Sequence, residues 1–121
     1  MPKKILIIED EQALAKNLAL LLRDDYTVET VENGELGLAK AKAWQPDLIL
    51  LDINLPDMDG VEIMQHLRHA QATETIPVVV LTNLSDTDSV SRMLKAGGIE
   101  YLVKADHSLE EVAARVQQLL A

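Results

Sequence analysis

Asp47-Leu48-Ile49-Leu50-Leu51-Asp52 sets four consecutive aliphatic residues between two aspartates. A run of Leu and Ile without polar alternation reads as a strand buried on both faces, the mark of a parallel sheet covered by helices. A carboxylate cannot extend such a strand into an apolar core, so Asp52 marks the carboxyl edge of the sheet. A second run, Ile5-Leu6-Ile7-Ile8, ends the same way, in Glu9-Asp10-Glu11. Neighbouring strands lie about 4.8 Å apart. If these two are neighbours, their terminal carboxylates converge on one small site, which calls for a cation or a reaction there.

Outward from these runs, two periods alternate along the chain. Lys4–Ile8, Val28–Val31, Leu48–Leu51, Val78–Leu81 and Tyr101–Val103 are short and aliphatic. Between them apolar residues recur at helical spacing: Leu14, Leu18, Leu21 and Leu22; Leu36, Ala39 and Ala43; Val61, Met64 and Leu67 or Arg68; Val90, Met93 and Leu94; and Leu109, Val112, Ala113, Val116, Leu119 and Leu120. Ser85-x-x-Asp88 and Ser108-x-x-Glu111 fit helix-start capping boxes, and Gly97-Gly98 fits a helix stop. Pro46 and Pro77 sit before or at strand starts. The pattern is a βα unit repeated five times, which makes a three-layer α/β sandwich.

Composition narrows the function. A chain of 121 residues has the size of one domain. There is no Cys, which excludes disulfides, thiolate catalysis and Cys-based zinc sites. The apolar runs are far too short for a membrane span, and the start, Met1-Pro2-Lys3-Lys4, leads straight into a strand. The expectation is a soluble, cytoplasmic protein without a signal peptide. A net charge of −9 opposes direct binding to nucleic acid. Phe is absent and Trp44 is the only Trp, so a stacking platform for single strands is not expected either. Trp44 is expected to cap the apolar edge before Pro46.

In open α/β sheets, ligands bind beyond the carboxyl ends of the strands. The residues that fall there are Glu9, Asp10 and Glu11 after the first strand, Asp52 and Asn54 after the third, Thr82 and Asn83 after the fourth, and Lys104 after the fifth. Mg²⁺ takes oxygen ligands and keeps part of its water, so two carboxylates and a carbonyl would hold it and leave room for a phosphoryl oxygen. Phosphoryl transfer needs a nucleophile and neutralisation of charge on the equatorial oxygens. Asp52 is a candidate nucleophile, since carboxylates form acyl phosphates. Lys104 and the Thr82 hydroxyl are candidates for neutralising the oxygens. Glu11 reads as a solvated helix-start acid, and Asp57 and Asp59 as turn residues beside Gly60. His66, His69 and His107 show no ligand pattern; the first two read as exposed helix positions.

The chain resembles the receiver domains of two-component response regulators, of the single-domain chemotaxis type. The resemblance rests on Ile7-Ile8-Glu9-Asp10-Glu11, on Leu51-Asp52-Ile53-Asn54-Leu55-Pro56-Asp57-Met58-Asp59-Gly60, on Leu81-Thr82 and on Tyr101-Leu102-Val103-Lys104, in that order from end to end. It implies a flavodoxin-like (βα)5 fold with strand order 2-1-3-4-5 over residues 1–121, one receiver domain; a fifth helix at the end of the chain leaves the expectation that any output domain belongs to another protein or to a part outside this sequence. It further implies that Asp52 accepts a phosphoryl group from a sensor histidine kinase or a phosphotransfer protein. By the same resemblance Asp10, Asp52 and the Asn54 carbonyl would ligate Mg²⁺ (or Mn²⁺), with Glu9 acting through water. Lys104 would pair with Asp52 and then with the phosphoryl group. Thr82 would swing toward the phosphate and Tyr101 would rotate inward, so that a downstream protein target reads the change. Nothing in the resemblance implies an enzyme with an external substrate.

Three positions depart from the family pattern. Ala105 follows Lys104 where relatives carry a cis proline; a cis bond before a non-proline costs about 3 kcal/mol, so Lys104–Ala105 is expected to be trans. Asn83 is larger than the small residue usual after the switch threonine and would narrow access to the phosphoryl group or hydrogen-bond it. Leu84 is apolar where some relatives handle hydrolytic water, which predicts a longer-lived acyl phosphate. Competing readings are a receiver-like scaffold that is never phosphorylated, a haloacid-dehalogenase-like phosphohydrolase and a flavodoxin. The hydrolase needs a second Asp where Asn54 stands. The flavodoxin needs a phosphate loop where Glu9-Asp10-Glu11 would repel one.

Overall fold

The computed structural model describes residues 2–53, 55–82, 87–97, 100–104 and 107–121, with the backbone alone for 87–90. Its elements alternate in chain order: β1 (Lys4–Ile8), α1 (Gln12–Leu22), β2 (Thr27–Val31), α2 (Gly34–Trp44), β3 (Leu48–Asp52), α3 (Gly60–His69), β4 (Val78–Thr82), α4 (Thr87–Lys95), β5 (Glu100–Val103) and α5 (Leu109–Leu120). The strands form one parallel sheet in the order β2-β1-β3-β4-β5. The strand expectations hold to within a residue at each end; Asp52 and Thr82 prove to be the last residues of their strands.

Side chains of successive strand residues point to opposite faces, and from Ile5, Leu48 and Val78 onward β1, β3 and β4 carry only apolar residues up to their carboxyl ends. Ile5, Ile7, Leu48, Leu50, Val79 and Leu81 face one side, where they meet Leu18 and Leu22 of α1 and Val112, Val116 and Leu120 of α5. Leu6, Ile8, Ile49, Leu51, Val78 and Val80 face the other, against Ala41 of α2, Ile63, Met64 and Leu67 of α3 and Met93 of α4. Both faces are covered, so every sheet position in the interior strands must be apolar.

The α5 stripe is as expected, and Ser108 and Glu111 form the full capping box that their spacing suggests. Two stripes need correction. In α1, Ala15 takes the buried position and Leu21 is exposed. In α2 the expected face is the wrong one: Leu36, Ala39 and Ala43 are exposed, and Gly34, Gly37 and Ala41 are buried. The reason is close approach. A Cβ at Gly37 would lie 2.6 Å from Ile8 Cδ1, so where α2 comes closest to the sheet its fully buried stripe is made of small residues, with Leu38 and Trp44 packed at its margins. Of the α4 stripe, Met93 is buried and Leu94 is exposed, and Val90 has no described side chain.

Gly97, with φ +120°, ends α4 as its sequence suggests. Its carbonyl accepts from Arg68 Nη2 at 2.9 Å and Nε at 3.3 Å, and Arg68 Nη1 donates to the carbonyls of Thr73 and Glu74 at 3.3 and 3.2 Å. One guanidinium thus ties α3 to both the α3–β4 loop and the end of α4. Trp44 packs at the edge of the second core cluster, with the Lys4 and Lys40 ammonium groups each 5.4 Å from its ring centre. Gly98, the Ser85-x-x-Asp88 box and the Lys104–Ala105 bond fall outside what is described.

Candidate functional site

The register of β1 and β3 pairs Ile8 with Leu51, so the next residues, Glu9 and Asp52, leave the sheet side by side. The backbone N–H of Glu9 still donates to Val31 at 3.0 Å, and that of Ile53 to Leu81 at 3.1 Å. Both carboxylates are therefore mounted on hydrogen-bonded sheet rather than on a free loop. Ligand oxygens of Glu9, Asp10 and Asp52 lie within 4.8 Å of one another. Glu9 and Asp52 are buried and Asp10 is exposed, so the cluster opens to solvent on the Asp10 side.

Lys104 enters from the far end of the sheet. Val103 pairs with Thr82, and the Lys104 N–H donates to the Thr82 carbonyl at 2.7 Å, which sets Lys104 over the ends of β4 and β3. Its Nζ lies 2.5 Å from Glu9 Oε1 and 3.7 Å from Asp52 Oδ1. The expectation of a Lys104–Asp52 pair is thus met only as the longer of two contacts; the nearer carboxylate is Glu9. Thr82 is buried at the end of β4, one residue beyond Leu81, the partner of Asp52. Tyr101 pairs with Val80 in register and is 41% exposed, an outward position.

Burial pushes Glu9 up to about 8, and the Asp52 carboxylate beside it adds to the rise, against the pull of Lys104. The second Glu9 oxygen, Oε2, is buried without a hydrogen-bond donor. Two carboxylates this close favour a proton on one of them or a bound cation. Three oxygen-donor residues, one of them with a buried oxygen lacking a donor, suit a hard divalent cation. The residues present therefore fit Mg²⁺.

Some expected residues play other parts. Glu11 is exposed and is the N-cap residue of α1 without a side-chain cap bond. Asp59 caps α3 through Val61 N–H. His66 and His69 are exposed; His107 does have an acidic neighbour, Glu111 Oε2 at 3.6 Å. Asn54, Asn83, Leu84 and Ala105 lie outside the described residues. Asp57 is the residue that sequence reading undervalued. It accepts from Gly34 N–H at 2.8 Å and Glu35 N–H at 3.0 Å, and these two bonds hold its carboxyl below the usual carboxylate range. The contact joins a loop to a helix more than 20 residues away, and a turn-like Pro-Asp-Met-Asp-Gly gives no local sign of it.

Comparison with known proteins agrees with this geometry. The family model for the response regulator receiver domain matches residues 5–117. The response regulator ArlR of Staphylococcus aureus is 41% identical over 118 residues, 97% of this chain and 52% of that protein. The chain spans about half the length of the curated relatives it matches. Among solved structures, the chemotaxis response regulator CheY4 of Vibrio cholerae is similar with a TM-score of 0.90 at 27% identity, over 98% of this chain and 99% of that one. The signal receiver domain of a signal transduction histidine kinase from Syntrophus aciditrophicus is similar with a TM-score of 0.86 at 34% identity, over 98% and 89%. A parallel sheet in the order 2-1-3-4-5, an acidic cluster at its carboxyl edge with a lysine above it, and a family match over nearly the whole length lead to one conclusion: the chain belongs to the response regulator receiver domain family.

Proposed function

We propose that residues 1–121 act as one receiver domain, phosphorylated on Asp52 by a histidine kinase or phosphotransfer protein, and that the modified domain presents an altered surface to a downstream protein. The observation that carries this is the convergence of Glu9, Asp10, Asp52 and Lys104 at the carboxyl ends of β1, β3 and β5. Receiver domains are not enzymes in the ordinary sense. Here the reaction would be self-catalysed on the domain's own side chain.

In the transfer, an Asp52 oxygen attacks phosphorus, the P–N bond to the donor imidazole breaks, and its electron pair remains on the imidazole nitrogen. Asp10, Asp52 and the Asn54 carbonyl, with Glu9 through water, would hold Mg²⁺ or Mn²⁺, and the bound cation supplies charge neutralisation for the incoming phosphoryl oxygens. Lys104 exchanges Glu9 for a phosphoryl oxygen and keeps its contact with the Asp52 side. Thr82, buried next to the partner of Asp52, donates its hydroxyl to the same group, and Tyr101 leaves its exposed position for the space vacated behind Thr82. Added charge at Asp52 thereby biases a two-state surface. Asn83 and Leu84 tune access and hydrolysis; Leu84→Glu would shorten the acyl-phosphate lifetime.

A cytoplasmic location follows from partnership with a histidine kinase; no helix among the described residues is long and apolar enough to cross a membrane. The family match does not favour the hydrolase, flavodoxin or scaffold readings. The test is incubation with acetyl phosphate and Mg²⁺, read by intact mass. One phosphoryl group is expected on the parent, and none on Asp52→Asn or in the presence of EDTA. Equal labelling of Asp52→Asn would contradict the assignment.

A further inference from the structure

The four N–H groups at the start of a helix have no partner within it. In α2 the first three helical residues are all served by side chains. Leu36 N–H donates to Asn33 Oδ1 at 2.8 Å. The other two, Gly34 and Glu35, donate to the two oxygens of Asp57, from the loop between β3 and α3. The same loop is seated sterically on that turn. A Cβ at Gly34 would lie 2.9 Å from both Met58 Sδ and Ile63 Cδ1, so the first turn of α2 and the loop leave no room between them.

The loop leaves the sheet directly after Asp52. Its start is fixed, because Ile53 and Leu55 are buried and Ile53 N–H bonds to β4. Its end is fixed too, by the Asp59 cap on α3 and by Gly60, where a Cβ would meet Ile53 Cα at 3.0 Å. Asp57 is the tie in between, and it is made to a different element, α2. A carboxylate at a helix N-terminus also meets the positive end of the helix dipole, which favours the charged form in place.

We infer that Asp57 is a positioning residue for the Asp52 site: through its two bonds to α2 it fixes the loop that follows Asp52, and so the geometry in which the carboxylate cluster takes its cation. This rests on the functional reading above. It predicts a division of labour between two residues that serve the same helix. Asn33 caps α2 from the residue next to it in the chain, whereas Asp57 caps α2 from the loop after Asp52.

The experiment is a calorimetric Mg²⁺ titration of the parent, Asp57→Ala, Asp57→Asn and Asn33→Ala, in about 0.5 M KCl so that loss of a distant charge is screened. Melting temperatures and amide hydrogen exchange at Gly34 and Glu35 are measured on the same metal-free samples. Groups that orient a metal's ligands cost about ten-fold or more in affinity when removed, and about ten-fold weakening is expected for Asp57→Ala. Asp57→Asn, which keeps one acceptor oxygen, falls between it and the parent. Asn33→Ala lowers the melting temperature but leaves Mg²⁺ affinity within about two-fold of the parent. Unchanged affinity in Asp57→Ala, or an equal loss in Asn33→Ala, would reduce Asp57 to a helix cap and overturn the inference while leaving the receiver reading intact. A parent that shows no saturable Mg²⁺ binding would overturn both.

Discussion

Lys104 Nζ lies closer to Glu9 than to Asp52, 2.5 Å against 3.7 Å, although Asp52 is the proposed phosphoacceptor. The buried pair of carboxylates shares one ammonium, and the one that takes the shorter contact is also the one whose other oxygen lacks a donor. Two buried carboxylates on the same ammonium give the site electrostatics that are measurable without any phosphodonor.

Glu9 makes the metal-free fold sensitive to pH. Its folded value, about 8, lies above its ordinary value of 4.5, so the folded state holds a proton that the unfolded state has released. That contribution is whole below about 4.5 and is lost as pH rises through about 8, each unit of difference being worth about 1.4 kcal/mol at most. Melting temperature in EDTA should fall as pH rises from about 5 to about 8 and level off above that, more steeply in the parent than in Glu9→Gln, and Mg²⁺ should restore it at the alkaline end.

Asp52→Asn removes one of two like charges that bury each other. Without metal it should be more stable than the parent by about 1 kcal/mol in urea denaturation at pH 8, because the remaining carboxylate keeps Lys104 to itself. Destabilisation would mean that Asp52 is held mainly by attraction to Lys104.

Gly37→Ala should destabilise, although alanine is the better helix former. The new Cβ meets Ile8 at 2.6 Å, and overpacking costs about 1–3 kcal/mol. Combining it with Ile8→Val, which removes the Cδ1 atom, should recover part of the loss. A double variant no better than the sum of the two would show that the contact relaxes elsewhere.

Gly97→Ala should cost about 2 kcal/mol or more, since a left-handed backbone and the Arg68 side chain both stand against a Cβ there. Arg68→Lys should also destabilise, because an ammonium cannot serve three carbonyls set around a planar fork. Urea denaturation checks both; a neutral Arg68→Lys would show that the fork geometry is dispensable.

Much of this was legible in the chain because it is local or periodic. The unbroken runs Ile5–Ile8 and Leu48–Leu51 dictate a sheet covered on both sides, and the acids that end them place the site. What stayed hidden depends on distance between elements. Leu36 looks like a core residue until the 2.6 Å approach at Gly37 shows that α2 has no space for it. Asp57 looks like a turn residue until its partners, Gly34 and Glu35, are seen across the loop. The preference of Lys104 for Glu9 over Asp52 is likewise a matter of side-chain reach that spacing along the chain does not encode.

The most direct test of the account is beryllofluoride, a mimic of the aspartyl phosphate, added with Mg²⁺ to isotope-labelled protein and followed by amide spectra. The parent should shift at Thr82 and Tyr101, with Tyr101 losing its solvent exposure, and Asp52→Asn should show no such change. A parent whose Thr82 and Tyr101 amides stay in place, or an Asp52→Asn protein that responds as the parent does, would contradict a switch thrown at Asp52.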